Sequence, residues 1–534
     1  MTRPRTFNLA DLFEIVAGCV PDRLAFRCGA QQLSYRELDR RATKLASALR
    51  ARGILRGDNV GIQLHNSAAY LETFFACCKI GAAPVNVNYR YVADELAYLF
   101  GTLELRALVY GVEFETEVAR SLPRVTTLRT LLSVGSAAPP AGLEAYEAAV
   151  ASGSDVLSDP GRSDDDIYML CTGGTTGMPK GVMWPHKSIL MAALGGGGIY
   201  FGRPPIQRPE ELAEFVPHGP PLTYFATAPM MHGAAMWASL ISLLAGHTVV
   251  VNDEPRFDAL HVWDIVVRDG VNILSIVGDA MALPLIQALE REPARWDLSR
   301  LITFGNGGAV FSQALQARLK ALLPSINISN SLGSSESGLI GGKDRGDHHG
   351  GFMVFEPRPD IAIVDDERRI VTAPGAEGTL ARTGYTPIGY YGDPAKSAQT
   401  FVTIDGRLWV LTGDRARIDE QGHYVVLGRG SMCINTGGEK VYPEEVEEAV
   451  RSYDAIEDVL VVGVPDERWG QKVVAVVTLA AGASFDREEF DRVCRDKLAG
   501  YKLPRAVVVT DEVRRSPAGK ADYGWAKKVA TERA

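Results

Sequence analysis

Residues 171–186 read CTGGTTGMPKGVMWPH. Four glycines (Gly173, Gly174, Gly177, Gly181), three threonines (Thr172, Thr175, Thr176) and Lys180 fall within eleven residues. Glycine admits φ > 0 and lets backbone N–H groups close on a ligand. Threonine hydroxyls add donors, and lysine adds a point charge. Together they have the chemistry of a loop wrapped around phosphate. The apolar residues 167–170 just upstream make this a strand-then-loop arrangement rather than a flexible surface connection. A loop of the NTPase type needs Gly-Lys-Ser/Thr, with the hydroxyl on Mg²⁺. Here Lys180 follows Pro179 and precedes Gly181 and Val182, so no hydroxyl sits where that metal would need it. The segment has no Gly-x-Gly-x-x-Gly pattern either.

The rest of the chain sets the context. Its 534 residues exceed one ordinary core, and about three or four structural units are expected. A hydrophobic share of 46% with 23% charged residues is an ordinary globular balance, and a net charge of −9 argues against nucleic acid as the main partner. The seven cysteines (Cys19, Cys28, Cys77, Cys78, Cys171, Cys433, Cys494) are irregularly spaced without a CxxC pair. That points to a reducing compartment, with neither a disulfide framework nor a zinc site. The N-terminal residues carry no apolar signal region. The most apolar stretch, 236–251, is broken by Gly246 and His247 and reads as a buried helix followed by a strand. A cytoplasmic enzyme is the expectation.

Strands and helices alternate from residue 9 to 134, with a capping-box pattern at Ser34 and Glu37 and an apolar helix over 68–80. This predicts a doubly wound α/β architecture. Residues 137–163, rich in Ala, Pro, Gly and Ser, read as a connection between layers. The acidic run Asp164-Asp165-Asp166 reads as a solvated strand entry rather than a metal site. Residues 203–221 read as a long loop, and 305–310 as a Gly-rich turn after a strand. From about 353 short strands alternate with Gly, Asp and Pro turns, giving a β-rich part to about 428. A break at Gly428-Arg429-Gly430-Ser431 precedes a compact α+β unit, whose helices are read over 443–452 and 486–498.

The segment 171–181 resembles the signature loop of the adenylate-forming superfamily, with Gly173 where a serine is common. The resemblance extends along the chain in order. Leu332-Gly333-Ser334-Ser335-Glu336 is similar to the family motif whose glutamate ligates Mg²⁺ on ATP; Ser335 stands for a threonine and Leu332 for an aromatic residue. Thr412-Gly413-Asp414 resembles the motif whose aspartate takes the ribose hydroxyls, and Arg429 the arginine near ribose and phosphate. Gly307, Gly308 and Ala309 resemble the segment lining the adenine and acyl pockets, and His232 the residue beside the reacting carboxylate. Ser516-Pro517-Ala518-Gly519-Lys520 resembles the near-terminal signature that carries the adenylation lysine. Residues 435–447 resemble the motif whose glycines, here Gly437 and Gly438 followed by Glu439, border the channel for CoA. Ser431 stands at the family's hinge.

This resemblance, closest to actinobacterial acyl-CoA synthetases for steroid side chains and other bulky acids, implies an α/β fold. A large N-terminal domain (1–428) of doubly wound subdomains plus the β-rich part precedes a small mobile α+β domain (429–534). It implies ATP, Mg²⁺ and CoA as cofactors and a bulky apolar carboxylic acid as substrate. Lys520, Glu336, His232 and Thr175 would be catalytic, and Thr172, Gly173, Gly174, Thr176, Gly177, Lys180, Ser334 and Ser335 would border the nucleotide. Cys171 is read as a packed strand-end residue, not a nucleophile. An enzyme performing only one half-reaction stays open, motivated by Leu332. A dead-site scaffold is disfavoured, because Lys180, Glu336, Asp414 and Lys520 are all present. A homodimer is left open.

Overall fold

The computed structural model of the protein describes residues 4–136, 142–158, 161–174, 177–341, 353–436, 439–466, 469–498, 500–515 and 520–534. Four sheets organise it. In the first, the strands Glu144–Ala145, Thr130–Val134, Leu105–Gly111, Asn59–Gln63, Ala83–Asn86 and Ile167–Gly174 run parallel. The antiparallel strands Gly177–Pro185 and Gly389–Tyr390 complete it. In the second, Asn327–Ser334, Thr303–Gly307, Ile273–Ile276, Thr223–Ala226, Thr248–Val251 and Leu24–Cys28 are parallel, with an antiparallel strand at either edge. A seven-stranded sheet is built within residues 353–429, and a five-stranded sheet within 434–509.

The core joins the first two sheets through helices. Ser34 caps the Tyr35–Ala51 helix, with both bonds of the Ser34–Glu37 box present. Every residue of the Ala68–Ile80 helix is buried, including Glu72 and Lys79. These charges are tolerated because each is paired. Arg41 forks onto Glu72 at 2.7 and 3.1 Å, and the Tyr146 hydroxyl donates to it at 2.6 Å. Lys79 Nζ lies 2.6 Å from Glu14 and 2.8 Å from Asp39. Removing one partner of such a pair strands a buried charge. Arg41→Ala is therefore expected to lower the unfolding free energy by about 3 kcal/mol in urea melts.

Four readings are revised. Residues 142–152 are not mere connection: a short strand joins the first sheet, and the Tyr146–Ser152 helix buries Tyr146, Ala149 and Val150. Asp166 is not solvated. It is buried and accepts bonds from Asn8, Arg56 and Ser163, because the chain's first helix packs on that strand entry. The stretch 203–221 folds into short helical turns that bury Ile206, Leu212, Phe215 and Val216. The β-rich part is not self-contained, since Gly389–Tyr390 crosses to pair with Met183 and Val182 of the first sheet. Among smaller differences, the strand before the Gly-rich turn continues to Gly307, and the last-domain helix ends at Arg495. The apolar stretch 236–251 does form a helix, Gly233–Leu244, then a strand, Thr248–Val251. Among the described residues no helix is long and apolar enough to cross a membrane.

Candidate active site

The glycine-rich segment is the tip of a β-hairpin rather than a strand followed by a loop. Cys171 pairs with Gly181, Thr172 with Lys180 and Gly174 with Gly177. Gly181 is required there: a Cβ would come 2.6 Å from the Met169 sulfur. The pairing turns Lys180 toward Asp393, Nζ to Oδ2 3.6 Å, and over the Tyr390 ring at 5.5 Å. The Tyr390 hydroxyl donates to Glu336 Oε1 at 3.0 Å. Burial, then the Glu336 charge, keeps that phenol protonated far above its ordinary value.

Glu336 lies on the turn between Asn327–Ser334 and Gly338–Gly341. The turn is tight: a Cβ on Gly333 would lie 2.4 Å from the Gly338 carbonyl. Arg382, buried, donates to the carbonyls of Ala192, Ser337 and Leu339 at 3.0, 2.9 and 2.8 Å, and Trp184 Nε1 donates to the Ser335 carbonyl at 2.8 Å. Burial pushes the Arg382 guanidinium down to about 10, and it stays charged at neutral pH. Ser334 and Ser337 exchange hydrogen bonds within the turn. Leu332 packs against the core of the seven-stranded unit, beside Ile340 and Phe355.

Asp414 is buried on the Arg407–Ile418 strand, opposite Arg429 in register. The Thr412 hydroxyl donates to the Leu380 carbonyl at 2.9 Å and accepts from the Asp414 N–H at 3.1 Å, which fixes the bend at Gly413 (φ 79°).

His232 stands at the N-cap position of the Gly233–Leu244 helix without a side-chain capping bond. The turn before it is held by two asparagines. Asn66 donates to the Ala228 carbonyl at 2.9 Å and accepts from Met230 N–H at 2.7 Å. Asn86 donates to the Met231 carbonyl at 2.5 Å and the Cys171 carbonyl at 3.2 Å, and accepts from Cys171 N–H at 2.6 Å. It thereby ties His232 to the base of the phosphate hairpin. Burial first, then the Lys520 and Arg90 charges, pushes His232 down to about 4, so the ring is neutral at pH 7. Its Nε2 is buried without a hydrogen-bond partner among the described residues. Lys520, exposed on the C-terminal unit, thus acts electrostatically on a histidine of the large body.

Gly307 and Gly308 face Ala234, two residues beyond His232 in the chain. A Cβ on either would meet nothing nearer than 3.6 and 3.8 Å, with Ala234 Cβ at 4.0 and 3.9 Å. Asn306 holds this corner, donating to the Ala309 carbonyl at 3.0 Å and accepting from Gly278 N–H at 2.7 Å. A cavity of about 370 Å³ opens at the C-terminal ends of parallel strands from both sheets, lined by His65, Tyr89, Arg90, Thr227, Pro229 and Met281 among others. Ligands of open α/β sheets bind at such strand ends. Burial pushes Arg90 down, and its guanidinium lies 4.7 Å over the Tyr89 ring.

Thr175, Thr176, Gly437 and Gly438 lie outside the described residues, as do the side chains of Arg429 and Ser431. Glu439 is exposed on the Glu439–Val441 strand. Cys171 sits within its strand, and burial pushes its thiol far up, which argues against a nucleophile. No group of three or more His, Cys, Asp or Glu suited to a metal occurs among the described residues. A Mg²⁺ carried on nucleotide phosphates needs only one or two carboxylates, and Glu336 with one oxygen on Tyr390 fits that donor set.

Reading motifs alone missed Tyr390, Asn66, Asn86, Asn306 and Arg382. Asparagines at strand ends were the one signal available, since a buried amide must find partners.

The same burial gives a stability test. His186 and His247 are buried and pushed down to about 4, chiefly by desolvation. Below pH 6.5 the unfolded chain binds protons that the fold refuses, so stability present above that pH is lost as pH falls toward 4. Urea melts are expected to give an unfolding free energy about 2–4 kcal/mol lower at pH 5 than at pH 7. The loss should shrink in His247→Gln; a flat profile contradicts the assignment.

Comparison with known proteins adds the last observations. A sequence model described as AMP-binding enzyme matches residues 13–391, and one described as AMP-binding enzyme C-terminal domain matches 445–520. The chain is 41% identical over 532 residues to a 3-oxocholest-4-en-26-oate–CoA ligase of Rhodococcus rhodochrous, covering 97% of this chain and 95% of that one. It is 41% identical over 529 residues to a medium/long-chain-fatty-acid–CoA/3-oxocholest-4-en-26-oate–CoA ligase of Mycobacterium tuberculosis, covering 98% and 96%. An anthranilate CoA ligase solved with anthranoyl-AMP superposes with a TM-score of 0.85 at 22% identity, covering 99% and 98%, which is a likeness of fold.

Proposed function

The chain belongs to the AMP-binding enzyme family, and from that premise we propose that it is an AMP-forming acyl-CoA ligase for bulky apolar acids, of the steroid side-chain or long-chain type. The acid's carboxylate attacks the α-phosphorus of ATP, pyrophosphate leaves, and acyl-AMP forms. The CoA thiolate then attacks the acyl carbonyl, the C–S bond replaces the C–O bond to phosphate, and AMP leaves. No enzyme nucleophile is needed; positioning and electrostatics carry the steps.

The observation that carries this reading is the gathering of Lys180, Tyr390 and Glu336 at one place, in a chain that matches the AMP-binding enzyme family over residues 13–391. The hairpin N–H groups and Lys180 take phosphate oxygens, and the Asp414 carboxylate accepts both ribose hydroxyls. Glu336, steadied by Tyr390, would hold Mg²⁺, which supplies neutralisation of phosphate charge. His232, unable to protonate at neutral pH, lies beside the acid's carboxylate without adding a second proton donor. Lys520 bridges carboxylate and α-phosphate. Gly307 and Gly308 leave room for the acyl group and base. Arg90, exposed and with no carboxylate partner within 4 Å among the described residues, offers a cation for CoA phosphate at the 370 Å³ cavity. A division at 428/429 with a hinge at Ser431 fits the end of the Tyr424–Arg429 strand and the following turn. The seven cysteines, irregularly spaced and without a CxxC pair, support a cytoplasmic location.

The test is a panel of acids with ATP, Mg²⁺ and CoA, read by mass spectrometry for both acyl-AMP and acyl-CoA. Preference for acetate over 3-oxocholest-4-en-26-oate and long-chain acids by kcat/KM would sink the substrate class. Ala234→Phe fills the space facing Gly307 and Gly308. Overpacking typically costs 1–3 kcal/mol. The variant is therefore expected to lower kcat/KM for the steroid acid by about tenfold or more, and for hexanoate much less.

A further inference from the structure

Lys520 is held on a unit that touches the large body through few polar contacts, and one of these is a buried ion pair. Arg451 ends the Pro443–Arg451 helix, and its Nε lies 3.2 Å from Oδ2 of Asp279, in the first turn of Gly278–Arg291. The two side chains are 9% and 6% exposed. Among the described residues, the others include a Gln287–Glu457 hydrogen bond on the surface, a bond from the Gln313 backbone to Glu448, and a side-chain bond between Arg415 and Tyr442.

Each end of the pair is wired to the site. Asp279 N–H donates to the Val310 carbonyl at 2.9 Å, and its Oδ1 accepts from Ser312 N–H at 2.8 Å. Asp279 therefore clamps the end of the Gly307–Ala309 corner. On the other side Glu447 lies 3.6 Å from Arg451 and accepts from Val461 N–H at 2.9 Å. Arg515 forks onto Asp458 at 2.9 and 2.7 Å, five residues before Lys520. The Arg451, Glu447, Asp458 and Arg515 charges act on one another. Glu448 of the same unit acts on Arg451 as well, so the C-terminal unit holds anionic partners of its own for Arg451. Asp279 is the charge that the large body adds, so the pair bears on where the unit sits. A buried carboxylate without its partner is costly, which makes this seat selective for one orientation.

We propose that Asp279 and Arg451 are positioning residues for acyl-adenylate formation: their ion pair seats the C-terminal unit against the Gly307–Ala309 corner in the orientation that brings Lys520 toward His232. The proposal rests on the acyl-CoA ligase reading. A misplacement of a reacting group by about 1 Å can cost about 10²-fold in rate.

The test uses the full-length enzyme with dodecanoate and with 3-oxocholest-4-en-26-oate, and follows two steps separately. One is acid-dependent pyrophosphate release with ATP. The other is acyl-CoA formation from synthetic dodecanoyl-AMP and CoA. Asp279→Asn keeps an oxygen for Ser312 N–H and removes only the charge. It is expected to lower kcat of the first step by roughly tenfold or more with KM for ATP little changed, and to leave the second step within about twofold. Arg451→Met should do the same, and Arg451→Lys should recover most of the loss. Equal loss in both steps, or loss in neither, overturns the proposal, and a fall in thermal midpoint that tracks the rate assigns a structural role instead. A wild-type enzyme inactive on both acids overturns the ligase reading itself, which is a distinct result.

Discussion

Lys520→Ala is expected to slow acyl-adenylate formation by about 10²–10³-fold while thioester formation from a supplied acyl-AMP changes by only a few fold. The attacking carboxylate and the α-phosphate are both anionic, and as they meet charge moves from the carboxylate to the phosphoryl oxygens and the leaving pyrophosphate. A cation placed there gains strength in the transition state, and loss of one such group typically costs about 2.7–4 kcal/mol. Lys520 is exposed, yet its charge reaches the half-buried His232 and disfavours a proton there. The second step needs no cation between carboxylate and phosphate, because the acyl-AMP bond is already made. Pyrophosphate exchange and single-turnover thioester formation separate the steps. Equal loss in both would remove Lys520 from the role proposed, and retention of both would restore the scaffold reading. Lys520→Arg keeps the charge but changes reach and planarity, and an intermediate rate is expected.

Much of this was legible because the chemistry is written in local motifs. The alternation of strands and helices from residue 59 to 134 maps onto the first parallel sheet, while Leu24–Cys28 and Gln31–Ser34 before it join the second. The Ser34 box formed as read, since both of its bonds lie within four residues. What escaped was non-local. Asp166 looks solvated in sequence, but a helix that begins 157 residues earlier covers it. Residues 203–221 lack helical periodicity, yet their apolar side chains are drawn into the core as three short turns. Tyr390 and Asn86 gave no motif signal at all, because each matters through partners brought from distant strands. The same holds for Asp279 and Arg451, 172 residues apart by subtraction of their numbers, which pair only once two units dock. Leu332 shows a different limit. It stands where the family motif has an aromatic residue, and in the fold it packs against the core that includes Ile340 and Phe355, a partner that no motif names.

Glu336→Gln is the second change expected to act strongly, lowering kcat/KM for ATP by about 10²-fold or more in the adenylation step. The argument starts from what the side chain does now. One oxygen accepts the Tyr390 hydroxyl at 3.0 Å, and the turn that carries it is pinned by Arg382 and by Trp184. Glutamine preserves size and can still accept from Tyr390, so the turn should remain folded. It removes the anionic oxygen that a hard divalent cation prefers. Activity should therefore fall without a matching fall in thermal midpoint, and raising Mg²⁺ should recover part of it. Tyr390→Phe separates orientation from charge. Without the hydroxyl the carboxylate keeps its charge but loses its brace, and Lys180 keeps the ring it lies over at 5.5 Å. A smaller loss, about tenfold, is expected there. If Tyr390→Phe were as damaging as Glu336→Gln, the phenol would itself contact the phosphates, and the division of labour between Lys180, Tyr390 and Glu336 would have to be redrawn. If Glu336→Gln left the Mg²⁺ dependence unmoved, the metal would be held elsewhere, outside the described residues.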